Sequence, residues 1–124
     1  MGSGSTSIRP MTDLPASPIE VETWILSLCE ALEEQIDLYR QLSQQRAVAE
    51  ADYRHRHARA VLEQQGKPTT TVREAVADYR ASAEFRQWRI LEAQEKATLQ
   101  AMSGIRSRLE ALRTVAANVR AATH

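Results

Sequence analysis

One cysteine, one phenylalanine, four glycines and four prolines are all that 124 residues supply of those types. A single cysteine excludes an internal disulfide framework and fits a reducing compartment. So few turn formers and aromatics exclude a sandwich or barrel, which needs a turn every few residues. The glycines and prolines lie mostly before Ile19 or around Gly66 and Pro68, leaving two long uninterrupted stretches. No apolar run approaches the ~20 residues of a membrane span, and Met1–Ala16 lacks the apolar centre of a signal peptide. Net charge is also missing, because Lys+Arg and Asp+Glu both number 16. Bulk charge therefore argues neither for nor against a nucleic-acid partner. These absences predict an all-α, cytoplasmic protein with no membrane association. Residues 1–16 read as a disordered leader and 17–124 as one helical hairpin domain. Cys29, set among apolar helical positions, reads as a buried structural thiol.

The sequence does contain two helical patterns. Ser17-Pro18-Ile19-Glu20 has the form of a capping box with proline at the first helical position. Apolar or small residues then recur at three- and four-residue spacing at Val21, Ile25, Leu28, Leu32, Tyr39, Leu42, Ala49, Tyr53 and Ala60. Gln35, Arg46 and Arg56 are polar members of the same stripe. This helix is expected to run over about 18–65 and to stop at Gly66, a natural residue beyond a helix end. Thr71-Val72-Arg73-Glu74 reads as a second capping box, opening a helix over about 72–121. Its stripe is expected at Val72, Val76, Tyr79, Ala83, Ile90, Ala97, Ala101, Ile105, Leu109, Leu112, Ala116 and Val119. Two successive four-residue steps beside Gly104 predict locally altered supercoil or a bend there.

Two helices of equal length across a short turn are expected to fold back as an antiparallel hairpin. With the turn near Pro68, facing residues have numbers summing to about 137. That register sets Arg106 near Glu30 and Glu34, Arg113 near Glu22, Arg59 near Asp78, Arg54 near Glu84, and Arg86 near Glu50 and Asp52. It also sets large residues against small ones: Tyr79 by Ala58, Trp88 by Ala49 and Tyr53 by Ala83. One stripe per helix is a thin core, and Trp24, Ile36, Phe85, Trp88, Leu91 and Leu99 fall outside it. They are expected to form the interface of a helical-bundle homo-oligomer.

Catalysis needs a nucleophile beside a base, or paired carboxylates in a cleft, and helical surface charges without long loops offer neither. His55 and His57 are two residues apart, on different sides of a helix, and cannot share a metal as an i, i+4 pair can. They read as solvated. The chain is thus expected to be no enzyme, with no catalytic residue, metal or cofactor. Two basic groups remain. Arg54, Arg56, Arg59 and Lys67 could hold single-stranded DNA by phosphate contacts beside an aromatic, or could be a solvated face paired with Asp78 and Glu84. Arg106, Arg108 and Arg113 could bind phosphate, or could make salt bridges beside the Ile105–Leu112–Val119 seam.

The stretch GIRSRLEALRTVAANVRA, residues 104–121, resembles the C-terminal helix of the UvsY-type recombination mediators of tailed phages. The matching residues are Ile105, Arg106, Ser107, Arg108, Ala111, Leu112 and Arg113, with Arg120-Ala121 at the end. The Leu38-Tyr39 pair in a long charged helix is similar too, and Arg54, Arg56 and Arg59 are the nearest counterpart of that family's lysine-rich stretch. The resemblance implies an oligomeric accessory protein that binds single-stranded DNA, a single-strand-binding protein and a RecA-like recombinase. The competing reading is a coiled-coil adaptor or assembly protein whose arginines are all paired internally.

Overall fold

The computed structural model describes residues 17–66 and 69–122, and every described element is helical. Three helices follow in order: α1 (Pro18–Glu63), α2 (Thr70–Arg80) and α3 (Ser82–Ala122). The leader over 1–16 lies outside the described residues.

The start of α1 falls at the Ser17–Glu20 cap that the sequence spells, with the carboxylate meeting the Ser17 hydroxyl where a full capping box has it meet the amide. The Glu20 amide donates to Ser17 Oγ at 3.2 Å, and the Ser17 hydroxyl donates back to the Glu20 carboxylate. The second start differs. Thr69, not Thr71, caps α2, its extended backbone placing Oγ1 to accept from the Val72 amide at 3.1 Å. Threonine runs through 69–71, so sequence identity alone cannot choose among three equivalent caps. At the end of α1 the chain turns through Gln64–Gly66, and Gly66 has φ +90°, a conformation that glycine adopts without penalty.

The expected second helix is divided at Ala81. Its backbone leaves helical geometry (φ −99°, ψ 12°), while its amide still reaches back to Ala77 and Tyr79. Gly104 lies inside α3, whose helical hydrogen bonding continues through it.

The α1 stripe is where the sequence puts it, with Val21, Leu42, Ala49 and Ala60 buried and Ile25, Leu28, Leu32, Gln35, Tyr39, Arg46, Tyr53 and Arg56 half-buried. The second stripe is corrected over its first half. Tyr79 is 82% exposed, and Ala83, Ile90, Ala97 and Ala101 face solvent. The inward row runs instead through Ala77, Ala81, Glu84, Trp88, Leu91, Glu95, Thr98 and Met102, then joins the expected residues from Ile105 onward. Steps of four and three alternate along it without interruption, so the supposed break in the heptad disappears. The reason is chemical: Glu84, Glu95 and Thr98 are polar seam positions, and choosing residues by apolarity steps around them.

The described residues fall into two compact units, one of residues up to Leu32 with those from Gly104 on, the other Glu33–Ser103. In the first, Val21, Leu109 and Leu112 are buried. In the second, Leu42, Ala49 and Leu91 form the core, with Trp88 packed on it as the register predicts for Trp88 and Ala49. Tyr53 stacks on Trp88 and meets Phe85 edge-on, with ring centres 5.4 and 5.3 Å apart. Ala60, Ala77 and Ala81 are fully buried, small side chains that let backbones approach closely. Cross-seam partners such as Ser43–Glu95, Tyr53–Phe85 and His57–Asp78 pair later residues of α1 with earlier residues of α2 and α3, so the helices of this unit run antiparallel.

Cys29 is exposed, not buried. It follows Leu28 on the helix and points off the Ile25–Leu28–Leu32 stripe.

Candidate nucleic-acid interface

The basic residues of α1 sit on a helix whose acids are spaced to meet them. Glu50 lies one turn before Arg54, and Glu63 one turn after Arg59, so each acid shares a helix face with its own arginine. Arg54 donates to Glu50 at 3.2 and 2.9 Å and rests over the Trp88 ring, 5.5 Å from its centre. Arg56 lies 3.6 Å from Glu63, and Arg59 3.9 Å from the same carboxylate. Glu63 also accepts from Arg80 at 3.2 Å. The arginines are thus paired, though not with the partners expected. Asp78 is taken by His57, and neither Arg54 nor Arg59 crosses to Glu84 or Asp78, because an acid one turn away on the same helix is nearer. Arg86 likewise makes no ion pair with Glu50 or Asp52 among the described residues, and Glu50 holds Arg46 and Arg54 instead. Lys67 lies outside the described residues.

Beside these arginines stands an aromatic group. Tyr53, Phe85 and Trp88 have ring centres 5.3–5.8 Å apart, and Arg89 lies 5.9 Å over Phe85 and 5.8 Å over Trp88. Phe85 is 44% exposed, so one aromatic face with an arginine beside it meets solvent. The other residues assigned to an outer interface divide. Leu99 is exposed, Trp24, Ile36 and Trp88 are half-buried, and Leu91 is buried in the core, which corrects its expected place.

Below the aromatics the seam carries a polar network that sequence reasoning did not assemble. Glu95 accepts from the Ser43 hydroxyl at 2.6 Å and from Arg46 Nε at 3.1 Å, while Arg46 Nη1 donates to Glu50 at 3.1 Å. The Ser43 hydrogen bond, then the Arg46 guanidinium, holds the Glu95 carboxyl below its ordinary value against the opposing effect of burial. Glu50 is held low by Arg54 first and then Arg46, and Arg46 is raised by Glu95. The available signal was Arg46 itself, a charge on an apolar stripe that required a partner across the seam.

His57 is not the solvated histidine expected from its spacing. Its Nε2 lies 2.9 Å from Asp78 Oδ1 and 3.5 Å from Glu74 Oε2, and its side chain is only 21% exposed.

The arginines of the C-terminal stretch are placed differently. Arg106 and Arg108 are exposed, and neither has an ion-pair partner among the described residues. The expected bridge from Arg106 to Glu30 or Glu34 is not formed. Arg113 pairs with Glu110 on its own helix at 2.7 Å rather than with Glu22, and both side chains stay mostly in water, at 69% and 73% exposure. Such a pair contributes at most about 1 kcal/mol and leaves the guanidinium open to a competing anion. Arg120 has a partner.

No family model, no curated protein and no solved structure matches this chain. Among the described residues no helix is long and apolar enough to cross a membrane.

Proposed function

We propose that this protein is a non-enzymatic accessory factor of phage DNA recombination. It self-associates through its helices and engages single-stranded DNA mainly through Arg106 and Arg108. The observation that carries this reading is the contrast in pairing: these two arginines, inside the stretch that resembles the mediators, are exposed and lack an acidic partner among the described residues. A guanidinium with five donors and no local acceptor is suited to phosphate. Two per chain are a weak site, which gains strength only when copies are joined, so self-association belongs to the same reading. Exposed apolar pairs support it. Val48 and Leu62 on α1, and Phe85 and Leu99 on α3, are each two heptads apart and so lie on one face of their helix. A second copy of the chain is the natural cover for such rows. The grooves lined by Tyr39–Ala47 and by Gln44, Val48 and Leu91 are open rather than enclosed, giving no water-excluding cavity for chemistry. Binding of a RecA-like recombinase and a single-strand-binding protein in the host cytoplasm follows from the resemblance alone.

A coiled-coil adaptor without DNA binding is the second reading, favoured by the pairing of Arg54, Arg56 and Arg59 with Glu50 and Glu63. Fluorescence anisotropy of labelled oligo-dT, read beside sedimentation of the free protein, separates the two. A mediator sediments as an oligomer and binds at low salt, with affinity falling steeply as salt rises. An oligomer with no anisotropy change at low salt is an adaptor.

A further inference from the structure

α1 and α2 bring together three metal-ligating groups that the DNA reading leaves unused. His57 Nε2 is 2.9 Å from Asp78 Oδ1 and 3.5 Å from Glu74 Oε2, and the three ligand atoms all lie within 4.8 Å of one another. Glu74 and Asp78 stand one turn apart on α2 and share a face, which His57 approaches from α1. The imidazole is held by packing, with the Tyr53 ring centre 5.7 Å away, whereas the two carboxylates sit at the rim, 52% and 68% exposed. Such a site is preset on the histidine side and adjustable on the acid side.

The distances fit a small dication. Ligands about 2.0–2.2 Å from one tetrahedral or octahedral ion stand roughly 2.9–3.6 Å from each other. Two of the three edges already have this spacing, so only the separation between the carboxylates has to close. Charge agrees as well. Two carboxylates and a neutral imidazole carry two negative charges, and the arginines of α2 do not offset them. Arg80 is on Glu63 at 3.2 Å, and Arg73 points to the Thr69 carbonyl at 3.5 Å. A hydrogen bond from the ring accounts for Asp78, but not for a second carboxylate drawn to the same nitrogen. A nitrogen ligand beside two oxygens favours zinc over magnesium or calcium.

We infer that His57, Glu74 and Asp78 form a Zn2+ site, completed by water, that staples α2 to α1. The staple has a structural purpose. α2 has 11 residues, a length that is marginal as a helix without tertiary support, and it lies between the α1 turn and the break at Ala81. The site uses neither Arg106 nor Arg108, so it stands or falls independently of DNA binding.

Metal-stripped full-length protein titrated with Zn2+ in a calorimeter, with Co2+ as the optical probe, tests this. One Zn2+ should bind per chain, Co2+ should give a visible ligand-field band, Zn2+ should raise Tm, and Mg2+ should do none of these. His57→Ala and Asp78→Asn should each weaken Zn2+ binding at least tenfold, while His55→Ala should not. Asp78→Asn keeps the side chain's shape at a largely exposed position, so its loss of binding is not a loss of fold. Absence of saturable Zn2+ binding, or equal binding by His57→Ala and Asp78→Asn, would overturn the site and leave an ordinary hydrogen bond.

Discussion

Arg54, Arg56 and Arg59 on α1 and Arg106 and Arg108 on α3 are the same side chain on the same kind of surface, yet their surroundings are opposite. The first group shares its helix with Glu50 and Glu63, one or two turns away, and beside it lie the aromatic seam and a polar network centred on Glu95. The second has Glu110 as the one acid on its helix after Gln100, and Arg113 takes it. Basic residues therefore do not announce their use by clustering. The larger group in sequence is the more neutralised one, and the pair on α3 is the one without an acidic partner among the described residues.

The largest effect expected of a single change tests whether the seam of residues 33–103 is a true core. Leu91→Ala removes a side chain that is 8% exposed, packed with Leu42, Ala49 and Trp88. It should cost about 2–4 kcal/mol in urea unfolding, whereas Ile90→Ala, next to it but 46% exposed, should cost well under half as much. Equal losses would return the seam to the row through Ile90.

Next in size is the polar network. Glu95→Gln keeps the shape but loses the charge that Arg46 and Ser43 satisfy, at a cost of about 1–2 kcal/mol at neutral pH. The pH dependence has a definite sign. A carboxyl whose folded value is below its unfolded one stabilises the protein above the unfolded value, near 4.5, and loses that contribution as pH falls through the folded value. Thermal melts of the native protein should therefore fall below about pH 4.5, and the fall should be shallower in Glu95→Gln.

The two described glycines give smaller, opposite effects. Gly66 has φ +90°, so Gly66→Ala should destabilise by roughly 1 kcal/mol. Gly104 is helical with nothing within 4 Å of an added Cβ, so Gly104→Ala should stabilise by about 1 kcal/mol, read as a higher Tm. The smallest expected change in stability is that of the double variant Arg106→Ala with Arg108→Ala, within about 0.5 kcal/mol, as for exposed positions without a partner.

Much of this was legible in the sequence because one physical signal dominates it. The α1 stripe, the Ser17–Glu20 cap and the Gly66 stop each follow from local chemistry: apolar periodicity, a hydroxyl three residues before a glutamate, and a backbone angle that suits glycine. What was missed depends on partners distant in sequence. The seam of α3 passes through Glu84, Glu95 and Thr98: Ser43 and Arg46 meet Glu95, and the Thr98 hydroxyl donates to the Gln94 carbonyl at 2.9 Å, whereas Glu84 Oε1 is buried without a hydrogen-bond partner among the described residues. Ala81 interrupts the helix although alanine is the best helix former, so nothing local marks the break, and Ala81 itself is fully buried. The partners of the arginines went wrong for a related reason. A facing register of helices fixes neighbours to about one turn, and one turn is the distance at which an acid on the same helix competes.

The slope of oligo-dT affinity against salt concentration tests the central claim most directly, measured for the native chain and for two double variants. Removing Arg106 and Arg108 should flatten the logarithmic slope by about 1.4, the share of two phosphate contacts on a single strand, while Arg54→Ala with Arg59→Ala should leave it nearly unchanged. An unchanged slope in the first variant, or a flattening confined to the second, would contradict the account.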